Sequence, residues 1–475
     1  MTMPISPDRG TRIPERGTRA AERDTRIDVF RALALLIIFV DHVPGTVFET
    51  LTYKNFGFSD AAEAFVLISG MSVALAYGAK FQSGDRLLAT LKLWRRAGVL
   101  YVAQIVTTMA VLAIFCAAAM FAKRPDMLTL INIEPLIRDP QHVLIGIVTL
   151  GHQLGYNNIL PVYAVLLLMA PTFLLFISYR PFTALALSGT LWLVAGIYQI
   201  APPNYPEPGF WFLNPLSWQF LFNIGLASML HIRRGGVIPV NRWLVGASAA
   251  YVATALVWVH SPLWGHVSWL NLPVVLTGFD KTFLSLPRLL HILAVSYLIV
   301  AFPSVSNLFR TSRDHPLAIL GKRSLPVFIA GTLIAMAAQV MKLINPGGFA
   351  YDSLLIAAGI AMQFALAYYV EWLSSIGGNS KPVRSQAPPI HASFGVGGMA
   401  TSNPRDFCSR VESLGVVAVG PPSLPAVGLR RRQRSRRRFA LFAGARGRMS
   451  RPCRSAGDCS GTRRSKLRLQ QQGIR

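Results

Sequence analysis

Charged side chains are scarce in this chain of 475 residues: Asp, Glu, Lys and Arg together supply 14% of it, while hydrophobic residues supply 52%. A soluble chain of this length needs far more charge to cover its surface, so the shortage excludes an ordinary soluble enzyme and points to the membrane. Mean hydropathy is accordingly positive. Cysteine is sparse as well. Cys116 lies in an apolar run and Cys408, Cys453 and Cys459 near the C-terminus; none forms a C-x-x-C pair. Neither a zinc site nor a disulfide framework is indicated, and no metal is expected. No repeat of about 20–50 residues is visible, which argues against a solenoid. Acids are the scarcer charge, 21 against 47 Lys and Arg. From residue 380 onward 20 basic residues face 3 acidic ones, so most of the net +26 sits in the tail and the remainder is mildly basic. A case for nucleic acid would rest on that tail alone, and no nucleic-acid partner is expected.

What is present in quantity is apolar sequence in stretches near the ~20-residue length that crosses a bilayer. Spans are predicted near 27–48, 61–79, 97–121, 158–178, 182–201, 215–231, 243–260, 287–303, 324–342 and 352–373. Residues 142–151 and 267–279 are too short or too interrupted to span and read as re-entrant or interfacial pieces. The basic residues before the first span suggest a signal peptide, but Asp41 and His42 interrupt its apolar region and no small-x-small cleavage site follows. The fold class is therefore all-α, a polytopic transmembrane bundle of about ten helices in three regions: a basic N-terminal tail (1–26), the transmembrane domain (27–373) and a basic tail (374–475).

Loop charge orients the bundle. Arg9, Arg12, Arg16, Arg19, Arg23 and Arg26 precede the first span, and Lys80, Arg86, Lys92, Arg95 and Arg96 follow the second. With Arg180, Arg233, Arg234, Arg242, Arg310, Arg313, Lys322 and Arg323 they put most basic loop residues on one side, which makes both termini cytoplasmic. Trp211, Trp218, Trp243, Trp258, Trp264, Trp269 and Trp372 lie near span ends, where an indole suits the headgroup region.

Ionisable groups at membrane depth are costly and are functional candidates by default. The first span carries Arg26, Asp28, Arg31, Asp41 and His42. Asp28 and Arg31 are three apart and can pair. Arg31 and His42 are eleven apart, three turns plus a little, so both project from one face about 16 Å apart; Asp41 points elsewhere. Pro44-Gly45 breaks the helix directly afterwards. His42 reads either as a satisfied interfacial histidine or as a site residue, and the break favours the site. Asp60 and Glu63 match a capping arrangement at the start of the second span, a structural role, and Ser69-Gly70 permits close helix contact. Lys92, Arg95 and Arg96 read as positive-inside anchors or as a site for a phosphorylated donor.

Arg26-Ile-Asp28-Val-Phe-Arg31-Ala-Leu-Ala, Asp41-His42-Val-Pro-Gly and Asn55-Phe-Gly-Phe-Ser-Asp-Ala-Ala-Glu-Ala-Phe-Val-Leu-Ile-Ser-Gly70 together resemble the OpgC family. Asn158-Ile-Leu-Pro-Val-Tyr, Trp211-Phe-Leu-Asn-Pro-Leu-Ser-Trp-Gln-Phe-Leu-Phe and Leu320-Gly-Lys-Arg-Ser-Leu-Pro-Val-Phe extend the resemblance to about residue 373. OpgC proteins are in turn similar to the wider membrane acyltransferase-3 group. The resemblance implies about ten spans in the bacterial inner membrane and transfer of an acyl group, succinyl in the best-known members, to osmoregulated periplasmic glucans. It implies acyl-CoA as donor substrate, no bound cofactor, and the lipid bilayer and a glucan acceptor as partners. His42 and Arg31 match the histidine and arginine taken as catalytic in the wider group. The group's R-x-x-R element appears here as Lys92-Leu-Trp-Arg95 with Arg96 following, and lysine lacks the planar fork that grips a phosphate twice.

Acyl transfer from a thioester to a sugar hydroxyl needs a base, for which histidine is suited, together with positive charge for the donor's phosphates. Whether His42 acts as base or carries the acyl group stays open at this level. So do a transporter or flippase, which also places charges at membrane depth, and an acyltransferase for another surface polysaccharide or lipid. After Trp372 the composition turns to Arg, Gly, Pro and Ser, with a run from Arg430 to Arg438. Such a segment is expected to be disordered. A frameshift near 374–380 explains it, and a polybasic tail held on anionic lipid is the functional alternative.

Overall fold

The computed structural model describes residues 24–262 and 272–378. The first five arginines of the chain, Trp264, Trp269, the three C-terminal cysteines and nearly all of the tail lie outside the described residues. Fifteen α-helices follow in order: α1 (Arg26–Asp41), α2 (Ala61–Gln82), α3 (Arg86–Phe121), α4 (Glu134–Arg138), α5 (Pro140–Val148), α6 (Ile159–Tyr179), α7 (Pro181–Ile197), α8 (Pro215–Arg233), α9 (Arg242–Val259), α10 (Val274–Thr277), α11 (Leu286–Ala301), α12 (Pro303–Leu308), α13 (Pro316–Lys322), α14 (Ser324–Ile344) and α15 (Phe349–Gly378). No strand occurs among the described residues, only an isolated bridge between Pro203 and Phe210.

Six helices are long and apolar enough to cross a membrane: α2, α3, α6, α9, α14 and α15; α7 and α11 are shorter apolar helices. The chain is an all-helical, multi-pass membrane protein. The two remaining expected spans are also helices, and each falls short for a visible reason. α1 stops after 16 residues. α8 carries Gln219 and Asn223 on a buried face, where Gln219 Nε2 donates to the Ser188 carbonyl (2.8 Å) and Asn223 Nδ2 to Ser188 Oγ (3.0 Å) on α7. Polar side chains that satisfy one another between helices cost little in a bilayer but lower the hydropathy of the segment.

Several boundaries differ from the sequence expectation. The first span does not run to residue 48. His42 caps α1, its N–H reaching the Ile38 and Phe39 carbonyls (3.1 and 3.2 Å), and Pro44 prevents continuation. Gly45 turns the chain at φ +81°, and two short 3₁₀ turns, Val47–Leu51 and Tyr53–Asn55, lead to α2. The third span begins eleven residues earlier than expected, because hydropathy excludes Lys92, Arg95 and Arg96 while helix geometry does not; α3 runs unbroken for 36 residues. Residues 142–151, read as re-entrant or interfacial, fall largely in α5, which α4 precedes; Asp139 caps α5 through the His142 N–H (3.4 Å).

Trp211 and Trp218 correct the anchoring expectation, since both are buried. Trp243 and Trp372 are exposed as that expectation requires.

Ser69-Gly70 behaves as predicted. A Cβ on Gly70 would lie 2.0 Å from the Phe222 carbonyl oxygen, and one on Gly225 2.2 Å from that of Leu67. The backbones of α2 and α8 therefore touch, and the register (67 with 225, 78 with 230) makes the helices parallel.

Contacts sort the loops into two ends. At one, Thr25 donates to the Thr311 carbonyl (2.7 Å), Arg234 to the Ser178 carbonyl (3.0 Å), Arg86 pairs with Tyr179, and Lys322 and Arg323 with Glu371. At the other, the end of α1 meets the loop before α6, and the starts of α2 and α8 meet the loop before α11.

Candidate functional site

Arg31 lies on α1 toward the first of these ends. It donates to Asp28 Oδ1 (3.2 Å), to the Gly321 carbonyl (3.2 Å) and to Ser72 Oγ. The expected Asp28–Arg31 pair is present, with both side chains largely buried. Gly321 allows α13 to lie against the Asp28 carbonyl, where a Cβ would approach to 1.7 Å.

Three turns further, His42 stands at the break that ends α1. Its imidazole stacks on Tyr156, ring centroids 4.5 Å apart and 14° from parallel, and its buried Nδ1 has no hydrogen-bond partner among the described residues. Asp41 turns away from it as the helical angle predicts: Oδ1 accepts from Thr52 Oγ1 (2.5 Å) and lies 3.7 Å from Lys54 Nζ, which itself bonds Glu49 (2.7 Å). Arg31 and His42 thus belong to one helix but to different polar surroundings, near opposite ends.

Asp60 and Glu63 form the expected capping box. The Asp60 carboxylate accepts from the Ala62 N–H (2.8 Å), and Glu63 accepts from the Asp60 N–H (2.9 Å). They are also ion-paired, which the sequence reading missed. Lys281 pairs with Asp60, and Arg288 reaches Asp60 (3.1 Å) and Glu63 (2.6 Å), the last having no exposed surface. Two acids and two bases make a neutral cluster, mostly shielded from solvent and fully buried at Glu63, the form in which such charges are tolerated away from water. Lys281 and Asp60 lie within electrostatic reach of both His42 and Asp41.

One turn along α11 from Arg288, His291 is 1% exposed. Ser59 Oγ (2.8 Å) and Tyr53 OH (3.2 Å) share its Nδ1, and its Nε2 has no partner among the described residues. Partial burial pushes the Tyr53 phenol up to about 12, so it stays protonated at neutral pH and remains a donor. Arg288 and His291 carried a usable signal: both are ionisable groups in an apolar span, the criterion that picked out His42.

Lys92, Arg95 and Arg96 stand apart from all of this. They are exposed on the first turns of α3, so they join neither the Arg31 nor the His42 surroundings.

Comparison with curated proteins finds no match. A family model described as OpgC protein matches residues 23–375, a range that holds α1, the capping box, the charged cluster, His42 and His291, and the chain belongs to the OpgC family.

Proposed function

We propose that this protein is an inner-membrane O-acyltransferase that moves a succinyl group from a cytoplasmic CoA thioester to hydroxyls of osmoregulated periplasmic glucans. The observation that carries the reading is His42: an imidazole at a helix break, with one buried nitrogen unpartnered among the described residues and a cluster of compensated charges nearby. As base, it takes the proton of a glucan hydroxyl while that oxygen bonds to the thioester carbonyl carbon. Collapse of the tetrahedral adduct breaks the C–S bond, and the proton passes to the departing thiolate. Arg31 supplies positive charge deeper on the same helix. Lys92, Arg95 and Arg96 hold the donor's phosphates on the cytoplasmic side, and residues 27–373 suffice for the reaction.

Mass spectrometry of periplasmic glucans tests this. A deletion strain should lack the acyl substituent and the wild-type gene should restore it; unchanged glucans would remove the acceptor assignment. Complementation with Arg95→Ala/Arg96→Ala should restore it poorly, and membranes from that strain should need a higher thioester concentration for half-maximal rate. Normal kinetics with reduced insertion would make these arginines anchors only.

The reading also requires ten spans with both termini cytoplasmic. Reporter fusions after residues 90 and 238 should give cytoplasmic signals, and fusions near 130 and 207 periplasmic ones. A periplasmic signal at 238 is incompatible with it.

A further inference from the structure

The four members of the charged cluster are not equivalent. Arg288 alone satisfies both acids, with Nε 2.7 Å from Glu63 and Nη2 3.1 Å from Asp60, and its side chain is only 11% exposed. Lys281 is the most exposed of the four, at 26% against 15% for Asp60 and 0% for Glu63. An ammonium group has three donors, and Asp60 engages it through a single oxygen. If Lys281 turns toward a new anion, Asp60 keeps Arg288.

The backbone that presents Lys281 is held on both sides. Trp218, fully buried on α8, donates its indole N–H to the Lys281 carbonyl (3.0 Å), and Trp192 on α7 donates to the Leu284 carbonyl (2.9 Å). Asp280 closes the turn, accepting from the Phe283 N–H (2.9 Å), and the Asn214 N–H bonds the Thr282 carbonyl (3.1 Å). The Phe212 ring centroid is 5.8 Å from Lys281 Nζ. A lysine fixed at its backbone, shielded by an aromatic ring and left with spare donors is arranged to bind an anion rather than only to neutralise Asp60.

We infer that Lys281 binds the distal carboxylate of the acyl group and so selects a dicarboxylic acyl donor over a neutral one. This rests on the acyl-transfer reading above. The other cation near His42, Lys54, is already held by Glu49 and Asp41. The new ion pair adds binding for a four-carbon acyl group that ends in a carboxylate and nothing for one that ends in a methyl group.

The test compares succinyl-CoA with butyryl-CoA, the same chain length without the second carboxylate, using the full-length protein in membranes and glucan as acceptor. In Lys281→Met the rate with succinyl-CoA should fall about 10- to 100-fold while that with butyryl-CoA stays within about twofold, because Asp60 keeps Arg288 and only the charged acyl group is left without a partner. Lys281→Arg should keep most of the preference for succinyl-CoA. An equal fall with both donors in Lys281→Met makes Lys281 structural and overturns the inference, as does an unchanged succinyl rate. A wild-type protein that transfers neither acyl group overturns the acyl-transfer reading itself, an outcome distinct from either of these.

Discussion

Glutamine at position 42 is expected to abolish glucan acylation while the protein remains inserted and abundant. The substitution keeps polarity and approximate size; it gives up the ring stack on Tyr156, but the cap on the Ile38 and Phe39 carbonyls uses only the backbone N–H and has no reason to fail. What is lost is a ring nitrogen able to take a proton from a hydroxyl. Removing a general base lowers rate by ~10²–10⁴, enough to clear acylated glucan from a chromatogram. His42→Ala should be equally inactive. Arg31→Lys separates two roles for the arginine: lysine keeps the charge but not the geometry by which Arg31 reaches Asp28, Gly321 and Ser72 together. Near-normal glucan acylation in His42→Gln, measured beside membrane abundance, would leave His42 with a purely structural role at the Pro44 break.

The largest stability effect is expected at Arg288. Arg288→Met removes the partner within ion-pair distance of Glu63, which is completely buried, and leaves Asp60 with Lys281 alone. Stranding a buried charge costs about 3–5 kcal/mol, a large part of the roughly 5–15 kcal/mol that holds a typical fold together. The variant should accumulate poorly and melt early in detergent. Adding Glu63→Gln to the same chain removes the stranded charge and should recover much of the loss, a coupling that a double-mutant cycle measures directly. Independent, additive losses in the double variant would mean that the pair is not coupled and that Arg288 acts through its other contacts.

Much of this was legible in the sequence because it is local. The Asp28–Arg31 pair follows from a spacing of three on a helix, the capping box from Asp60 and Glu63, and the close approach at Gly70 from a small residue in an apolar run. The divergence of Asp41 from His42 follows from the helical angle. Each of the ten expected spans overlaps a helix, six of them long and apolar enough to cross a membrane, since hydropathy reports what a lipid-facing helix must look like. It does not report where a helix ends: charged Lys92, Arg95 and Arg96 hid the first turns of α3, and nothing local pairs Gln219 and Asn223 of α8 with Ser188 on α7. The bases that complete the charged cluster were not legible from spacing, because Lys281 and Arg288 lie 221 and 228 residues from Asp60. Trp218 was misread for the same reason. Its partner is a backbone carbonyl 63 residues away, and a tryptophan near a span end looks alike whether it faces headgroups or holds a turn in place.

The close approach of Gly70 to Phe222 and of Gly225 to Leu67 bears on how the molecule can move. Where two helices meet through side chains, they can slide by exchanging rotamers; where carbonyl oxygens meet alpha carbons, there is nothing to rearrange. α2 and α8 therefore behave as a single beam. From its start hang the Asp60–Glu63 cap and, through Trp218, the Lys281 turn; near its other end Leu230 fills the notch at Gly78. Any passage that admits a thioester from one face and a glucan from the other must open by displacement of helices around this beam, which stays fixed as the frame against which they shift.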